Sequence, residues 1–228
     1  MIAGVISMVA WATVDFFNQI AYFMNPLDCF KPYDIILASQ SPRRRALMEA
    51  AGIPFRVMVR PTPESFHNEI PPLEVVKHLC REKANCFDDE RKKPNTLIIT
   101  ADTIVVHQGE IINKPRDAAH AYRMISQLSG STHEVYTGVC MRYQEKETVF
   151  HDHSLVSFRQ LTDAEINHYI KEYEPYDKAG AYGIQEWIGY IGITGIEGSY
   201  HNVMGLPVHM VYAQLKEWLC PGSSTTIG

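Results

Sequence analysis

The chain has 228 residues, of which 46% are hydrophobic and 21% charged, the composition of an ordinary globular protein. Its net charge of −5 excludes the global positive field that non-specific nucleic-acid binding requires, so positive charge can act only locally. Its five cysteines, an odd number with no Cys-x-x-Cys pair, argue against a disulfide framework and indicate a reduced, cytoplasmic setting.

The N-terminal segment is apolar and aromatic but does not read as a membrane span. Its uninterrupted apolar run, Ile2 to Val14, is too short to cross a bilayer, and no positive segment precedes it as in a secretory signal. Three interpretations stay open: a peripheral amphipathic helix, an added helix packed on the body, or a start assigned too early. We favour the last, with Met24 as the initiator, and treat residues 1–33 as an extension.

The segment over residues 34–52 predicts a strand, a tight loop and a helix. Ile35–Ala38 is apolar and partly β-branched, which is typical of a buried strand. Ser41 is placed to cap a helix that begins at Pro42, where the missing N–H costs nothing. Gly52 follows the helix where a left-handed residue is favoured. The helix should therefore present its first turn to the loop.

Polar and positive groups gather at the start of this helix. The hydroxyls of Ser39 and Ser41, free backbone N–H groups and the run Arg43-Arg44-Arg45 all lie there. Positive side chains oppose the helix dipole at an N terminus, so they call for an anionic partner, although a solvated basic face is the alternative. Helix N termini and arginine forks both bind phosphate. We therefore predict a phosphate site.

Strands and helices alternate through the next stretch. A short strand is predicted over Phe55–Val59, and apolar residues at helical spacing indicate a helix over Leu73–Phe87. A charged, proline-ended linker over residues 88–95 leads to an apolar β-rich run over residues 96–106. This order of elements is typical of an α/β protein.

Asp102 interrupts the apolar run and is a candidate functional carboxylate. Burying a carboxylate among apolar residues is costly unless it has a partner or a metal. The alternative, an aspartate that caps a turn, fits poorly because β-formers flank it on both sides. A hairpin turn over His107–Glu110 returns the chain to Lys114, and hairpin register places that lysine near Asp102.

The second half of the chain predicts helices, two long strands and two glycine-rich loops. The helices span Asp117–Leu128, Thr162–Ile170 with a capping box, and Val208–Leu219, and the strands span His133–Tyr143 and Thr148–Arg159 as a meander-like second lobe. The loops over Glu174–Gln185 and Gly198–Pro207 allow close backbone approach to a ligand, with plain connections as the alternative. We expect the tail, residues 221–228, to be disordered.

Taken together, these segments resemble the Maf family of nucleoside triphosphate pyrophosphatases. The matching blocks stand in family order from Ile35 to Trp218, and the ordered set is far more specific than any one block. They are Ser39-x-Ser41-Pro42-Arg43-Arg44, Glu82-Lys83-Ala84, Thr100-Ala101-Asp102-Thr103, Asn113-Lys114-Pro115, Leu128-Ser129-Gly130, His133-Glu134-Val135-Tyr136-Thr137-Gly138, the segment Asp177–Gln185, Gly198-Ser199-Tyr200 and the segment Asn202–Pro207.

The resemblance implies an α/β fold similar to inosine triphosphatase, with a mixed twisted sheet and flanking helices in two lobes around a central cleft. It places one catalytic domain over residues 34–220, commonly as a homodimer. The implied enzyme is cytoplasmic, uses a divalent cation such as Mg²⁺ or Mn²⁺, and converts a nucleoside triphosphate to the monophosphate and pyrophosphate. No nucleic-acid or membrane partner is expected.

Roles at the phosphate groups follow from the same resemblance. Ser39 and Ser41 would cradle phosphate while Arg44 neutralises it, and Lys83 and Lys114 would meet the remaining negative charge.

The carboxylates have two open assignments. Asp102 would accept the proton of the attacking water, or equally hold the metal whose bound water attacks. Glu64 aligns with an acidic residue of the family and would be a second metal contact, although its neighbourhood is less acidic than is usual there.

Substrate choice is a subfamily property. Arg43, Thr103 and Gln185 are similar to the type that prefers dTTP and UTP, and modified pyrimidine triphosphates would be accepted in a role that cleans the nucleotide pool. The amide of Gln185 can offer a donor and an acceptor to a pyrimidine edge. Two alternatives stay open: the sister type, which acts on 7-methyl-GTP and has tryptophan in place of Arg43, and a nucleotide-binding regulator of cell division with incidental hydrolysis.

Overall fold

The computed structural model describes residues 25–62 and 70–220, which form one seven-stranded mixed sheet with helices on both faces. The predictions for Met1–Met24, for Glu64 and for the tail at 221–228 lie outside these residues. The strands are β1 (Asp34–Leu37), β2 (Arg56–Val57), β3 (Thr96–His107), β4 (Glu110–Ile112), β5 (Thr132–Tyr143), β6 (Lys146–Phe158) and β7 (Ile193–Glu197).

The helices follow the predicted ones except for two short additions. They are α1 (Pro42–Ala50), α2 (Pro72–Asn85), α3 (Ala118–Leu128), α4 (Asp163–Tyr173), α5 (Trp187–Gly192), α6 (Tyr200–Val203) and α7 (Val208–Leu219), with 3-10 turns at Asp28–Phe30 and Ala179–Ala181. The predicted caps of α1 and α4 are confirmed, since Ser41 accepts from Arg44 N–H and Thr162 forms the capping box with Glu165. Among the described residues, no helix combines the length and the hydropathy that crossing a bilayer requires.

The sheet order is β2-β1-β3-β5-β6-β7, with β4 paired to β3 beside this path. The pairs β1–β2 and β1–β3 are parallel, and the remaining pairs are antiparallel. The two long strands that were expected to form a meander in a second lobe are β5 and β6. Because β5 pairs with β3 from Glu134 to Tyr143, the two strands continue the central sheet.

Alternate side chains of β3 point to opposite faces of the sheet, so the strand contributes to a hydrophobic core on each face. On one face Leu97 and Ile99 pack in the cluster that includes residues of α1 and α7. Farther along the same face, Val105 belongs to the cluster of α3 and α4. On the other face Ile104 packs against Val76 of α2.

One edge of β3 is left without a neighbouring strand at its centre. β1 pairs with β3 only as far as Ile99, and β4 pairs with it only from Val105 onward. Both lie on the edge opposite β5, so residues 100–104 of β3 have no strand partner on that side. This interruption of the sheet places Asp102 and Thr103 at an open edge.

The expectation that all five cysteines are reduced is wrong for one pair. Cys29 and Cys220 form a disulfide, with Cα atoms 5.6 Å apart, whereas Cys80, Cys86 and Cys140 are free. The 3-10 turn that contains Cys29 packs beside α7, where the rings of Phe30 and Tyr212 meet edge to face at 5.8 Å. Sequence spacing could not reveal the pair, because tertiary packing brings together residues 191 positions apart.

Candidate functional site

A cavity of about 530 Å³ opens at the interrupted edge of β3. Its volume lies within the range of pockets that bind small molecules, roughly 300 to 1,000 Å³. Every predicted site residue in the described part of the chain lines it: Ser39, Ser41, Arg43, Arg44, Lys83, Asp102, Thr103, Lys114 and Gln185. Segments far apart in sequence therefore converge on one space.

Asp102 is held between a helix and its own strand. Its Oδ2 lies 3.0 Å from Nζ of Lys83 in α2, and both side chains are largely buried, with 16% and 14% exposed. Its Oδ1 accepts the backbone N–H of Thr103 at 2.9 Å. The second contact is available because β3 has no strand partner at this edge. The carboxylate is thereby fixed without losing its access to the cavity, which it lines.

A glycine lets α2 approach closely enough to deliver Lys83. Gly138 of β5 is the register partner of Asp102. A Cβ placed on Gly138 would lie 2.7 Å from the carbonyl oxygen of Val76 in α2, which is closer than Cβ contacts allow. The missing side chain thus sets the distance between α2 and the sheet next to Asp102.

The loop before α1 is closed by its own serines. Ser39 Oγ accepts Ser41 N–H at 3.2 Å, and Ser41 Oγ accepts Arg44 N–H at 3.4 Å. Both hydroxyls act here as acceptors, so their protons remain to be donated. The loop thus presents two hydroxyl donors and the N terminus of a helix to the cavity, as the predicted phosphate site requires.

Arg44 is a buried clamp across the site. The side chain donates to the carbonyls of Gly205 at 2.7 Å and Ala101 at 2.8 Å, and to the hydroxyls of Thr103 at 3.0 Å and Ser39 at 3.3 Å. The residue is 9% exposed. Protein acceptors occupy so many of the N–H groups of Arg44 that few are left to donate to a ligand. Arg44 therefore acts on the cavity mainly through its positive charge.

The side chain of Thr103 lies on the face of the sheet opposite to that of Asp102. Thr137 donates its hydroxyl proton to the carbonyl of Asn202 at 3.0 Å, so in the 2.9 Å contact between the two threonine hydroxyls Thr103 is the donor. Thr103 also accepts from Arg44. Its hydroxyl is therefore engaged within the protein, although the residue borders the cavity.

The predicted hairpin after β3 is confirmed. His107 pairs with Glu110, and the turn residues Gln108 and Gly109 have φ values of 51° and 82°. Two positive φ values in succession are typical of a two-residue hairpin turn. Lys114 follows β4 by two residues, is exposed, and lines the same cavity as Asp102.

A chain of charged side chains joins the first turn of α1 to the segment over residues 177–186. Arg43 Nη1 lies 3.0 Å from Asp177 Oδ2, and Lys178 Nζ lies 2.7 Å from Asp177 Oδ1 and 3.1 Å from Glu186 Oε1. Burial raises the pKa of Asp177, but hydrogen bonds and charges from Lys178 and Arg43 outweigh it and leave that pKa below its usual value. Asp177 is therefore ionised at neutral pH.

Sequence reasoning missed Asp177, Lys178 and Glu186 as site residues. The first two belong to the glycine-rich loop that was expected to approach a ligand, and both line the cavity. The signal was present, because Asp177 and Lys178 stand side by side in a loop that the sequence already predicted to approach a ligand. What the sequence could not show was their common contact with Arg43 and Glu186.

The described residues include no group of three or more His, Cys, Asp or Glu side chains that could by itself hold a metal. Asp102 and Asp177 are the carboxylates among the described residues that line the cavity. Mg²⁺ is commonly held by one or two carboxylates together with substrate phosphates and water. Asp102 therefore suits a cation that arrives with a phosphorylated ligand.

Comparisons with known proteins give a consistent result. A sequence model described as "Maf-like protein" matches residues 34–218. A dTTP/UTP pyrophosphatase of Porphyromonas gingivalis is 47% identical over 194 residues, which cover 84% of this chain and 98% of that protein. A protein of the same name from Flavobacterium johnsoniae is 45% identical over 185 residues, covering 81% and 95%.

One solved structure with some likeness is that of the Staphylococcus aureus Ham1 protein. The match covers 81% of this chain and 98% of that chain, with a TM-score of 0.45 and 12% sequence identity. Similarity at that level supports no conclusion of its own.

Proposed function

This chain belongs to the Maf family, and on that premise we propose that it hydrolyses dTTP and UTP to the monophosphate and pyrophosphate. The observation that carries the proposal is the contact of Asp102 with Lys83 inside a cavity that Arg43 and Gln185 also line. A carboxylate beside cations suits anhydride hydrolysis, and an arginine with an amide suits recognition of a base.

We assign the phosphate groups to one end of the cavity, the phosphate end, defined by Ser39, Ser41, Arg44, Lys83, Asp102 and Lys114. Asp102 accepts the proton of a water molecule that attacks the α-phosphorus of the α–β anhydride. The bond from that phosphorus to the bridging oxygen breaks, and pyrophosphate leaves with the electron pair. Lys83 and Lys114 balance the charge of the triphosphate, while the serine hydroxyls and the N terminus of α1 hold its oxygens.

A divalent cation belongs to this proposal as a companion of the substrate. In the alternative assignment of Asp102, its carboxylate would hold the cation together with phosphate oxygens, and the predicted contact from Glu64 stays a prediction. When bound, the cation would supply charge neutralisation and polarise the phosphoryl oxygens. Mg²⁺ and Mn²⁺ both suit oxygen ligands of this kind.

The nucleobase is assigned to the other end, the base end, defined by Arg43, Asp177, Lys178 and Gln185. Gln185 can face a pyrimidine edge with its amide, and the relatives named above carry the names of enzymes for two pyrimidine nucleotides. Modified pyrimidine triphosphates would fit the same end, in line with a role in cleaning the cytoplasmic nucleotide pool. The homodimer that the resemblance implies stays a prediction.

The experiment is an end-point assay of the full chain with Mg²⁺ and a panel of dTTP, UTP, CTP, ATP, GTP and 7-methyl-GTP. Products are resolved as monophosphate plus pyrophosphate or as diphosphate plus phosphate. We expect dTTP and UTP to yield monophosphate and pyrophosphate in amounts well above those from the other nucleotides. Preferred turnover of 7-methyl-GTP, or release of inorganic phosphate from dTTP, would contradict the proposal.

A further inference from the structure

Glu186 is the last member of the chain of charged side chains that begins at Arg43, and its carboxylate is fixed. Its Oε2 accepts the hydroxyl of Tyr169, which in turn accepts Gly183 N–H at 3.0 Å. Its Oε1 lies 3.1 Å from Lys178 Nζ, and the two side chains are 19% and 9% exposed. Because several buried partners share this carboxylate, it cannot rotate freely.

The carboxylate faces the amide of Gln185. Gln185 Nε2 lies 3.5 Å from Glu186 Oε1, a long contact that still orients the amide. An ionised carboxylate can only accept hydrogen bonds, so the amide must turn its NH₂ group toward Glu186. The reverse orientation would bring two oxygens with negative partial charge together. The carbonyl oxygen of Gln185 therefore points away from Glu186.

A glycine makes room for this arrangement. A Cβ on Gly183 would lie 2.7 Å from the carboxyl carbon of Glu186 and 3.0 Å from Gln185 Nε2. Any larger residue would push the amide and the carboxylate apart. The backbone is therefore shaped to keep Gln185 and Glu186 side by side.

The carbonyl oxygen of Gln185 is buried and accepts no hydrogen bond from the described residues. A buried acceptor left unsatisfied costs free energy, which a ligand that brings a donor to this wall would recover. Uracil and thymine carry an N–H at ring position 3, whereas cytosine has a bare nitrogen acceptor there. A carbonyl fixed in this direction matches the first two bases and repels the third.

We propose that Glu186 is a positioning residue for base selection: it orients the Gln185 amide so that its carbonyl accepts the ring N–H of uracil or thymine, and thereby excludes cytosine. The inference rests on the proposed function and deepens it. Glu186 itself need not touch the substrate, because it acts through Gln185.

The test compares kcat/KM for UTP and CTP in the wild type and in Glu186→Gln. The glutamine has the same size but can both donate and accept, so the Gln185 amide is no longer held in one direction. We expect the ratio of kcat/KM for UTP to that for CTP to fall by about tenfold or more, since a hydrogen-bonding site discriminates strongly only when its groups are fixed. The kcat for UTP should change little.

Two further variants keep the test decisive. Glu172→Gln makes the same chemical change at an exposed site outside the cavity and should leave the ratio unchanged. Glu186→Asp keeps the charge but withdraws it from Gln185 by one methylene, so it should also lower the ratio, and it replaces Glu186→Gln if that variant does not fold.

An equal loss for UTP and CTP, with the ratio unchanged in the folded Glu186 variant, would overturn the inference and leave Glu186 a structural role. Failure of the proposed function looks different, because the wild type would then hydrolyse neither UTP nor dTTP to the monophosphate.

Discussion

The two ends of the cavity are built in different ways. At the phosphate end, groups are held by regular elements and backbone contacts: the open edge of β3, the cap of α1 and the N–H of Thr103 on Asp102. At the base end, loops are held by ion pairs that join Arg43 to Glu186 through Asp177 and Lys178.

This difference suggests that the phosphate end determines the rate of hydrolysis and that the base end determines which nucleotide is bound. A group fixed by backbone hydrogen bonds on a central strand keeps its place when neighbouring side chains change. A group fixed by a chain of charged side chains moves when any member is replaced. We therefore expect substitutions at the phosphate end to affect the rate of hydrolysis, and substitutions at the base end to affect substrate binding and choice.

The largest expected effect is the loss of hydrolysis in Asp102→Asn. An amide of the same size cannot accept the water proton, so kcat for dTTP should fall by about a thousandfold, within the usual range for loss of a general base. Binding of dTTP, measured by calorimetry, should persist because the cations of the phosphate end remain.

Asp177→Asn is the matched variant at the base end. It removes the charge that faces Arg43 and Lys178, so it should raise KM for dTTP while kcat stays within about an order of magnitude of the wild type. Equal losses of kcat in the two variants would erase the functional distinction between the ends.

A second prediction concerns the rigidity of the phosphate end. Lysine in place of Arg44 has a single charged group and cannot reach all four acceptors that Arg44 serves. Buried carbonyls and hydroxyls would lose their donors, so the free energy of unfolding in urea should fall by about 2 to 4 kcal/mol.

Arg45→Lys is the control for Arg44→Lys. Arg45 is 64% exposed and pairs with Glu49 on the surface of α1, so its replacement should change the unfolding free energy by less than about 0.5 kcal/mol. Similar losses in the two variants would show that the internal contacts of Arg44 contribute little.

The smallest effect is a loss of stability in acid, caused by a buried histidine beside the cavity. His133 Nε2 lies 2.7 Å from the hydroxyl of Tyr182, which borders the cavity. Burial, aided by the nearby His107, lowers the pKa of His133 from 6.5 to about 3. Between pH 6.5 and about 3, His133 is therefore protonated in the unfolded chain but neutral in the folded protein. The free energy of unfolding falls as the pH falls through this range.

At pH 5 this histidine should cost about 2 kcal/mol relative to neutral pH. The measurement is urea unfolding of the wild type and His133→Gln at pH 7 and pH 5, because glutamine keeps a polar side chain that does not titrate. The variant should lose about 2 kcal/mol less than the wild type on acidification. Parallel losses would mean that other groups dominate.

Local signals predicted most of the fold and the phosphate end. Ser41 and Pro42 define the start of α1, and the apolar run around Asp102 defines β3, because capping and β-propensity depend on neighbours in sequence. The hairpin register likewise brought Lys114 to the cavity. These features could be predicted from the sequence because each depends on a few adjacent residues.

The remaining features depend on tertiary packing. No local pattern shows that Arg44 reaches the carbonyl of Gly205, that Asp177 meets Arg43, or that β5 joins β3 in one sheet. The short elements α5 and β7 were missed because Gly189, Gly192 and Gly195 interrupt the mostly apolar segment that forms them and weaken both periodicities. Long-range contacts decide such cases, and the resemblance to a family supplied residues but not their partners.

The disulfide has a consequence for the topology of the chain. Cys29 and Cys220 lie side by side, so the disulfide closes the polypeptide over residues 29–220 into a ring. The fold should therefore not depend on where in this ring the two chain ends are placed. A circular permutant that joins these two positions through a short linker and opens at the turn after Tyr143, between β5 and β6, should retain the sheet and the cavity. The order of the segments in the gene is then one of several cyclic orders that give the same architecture.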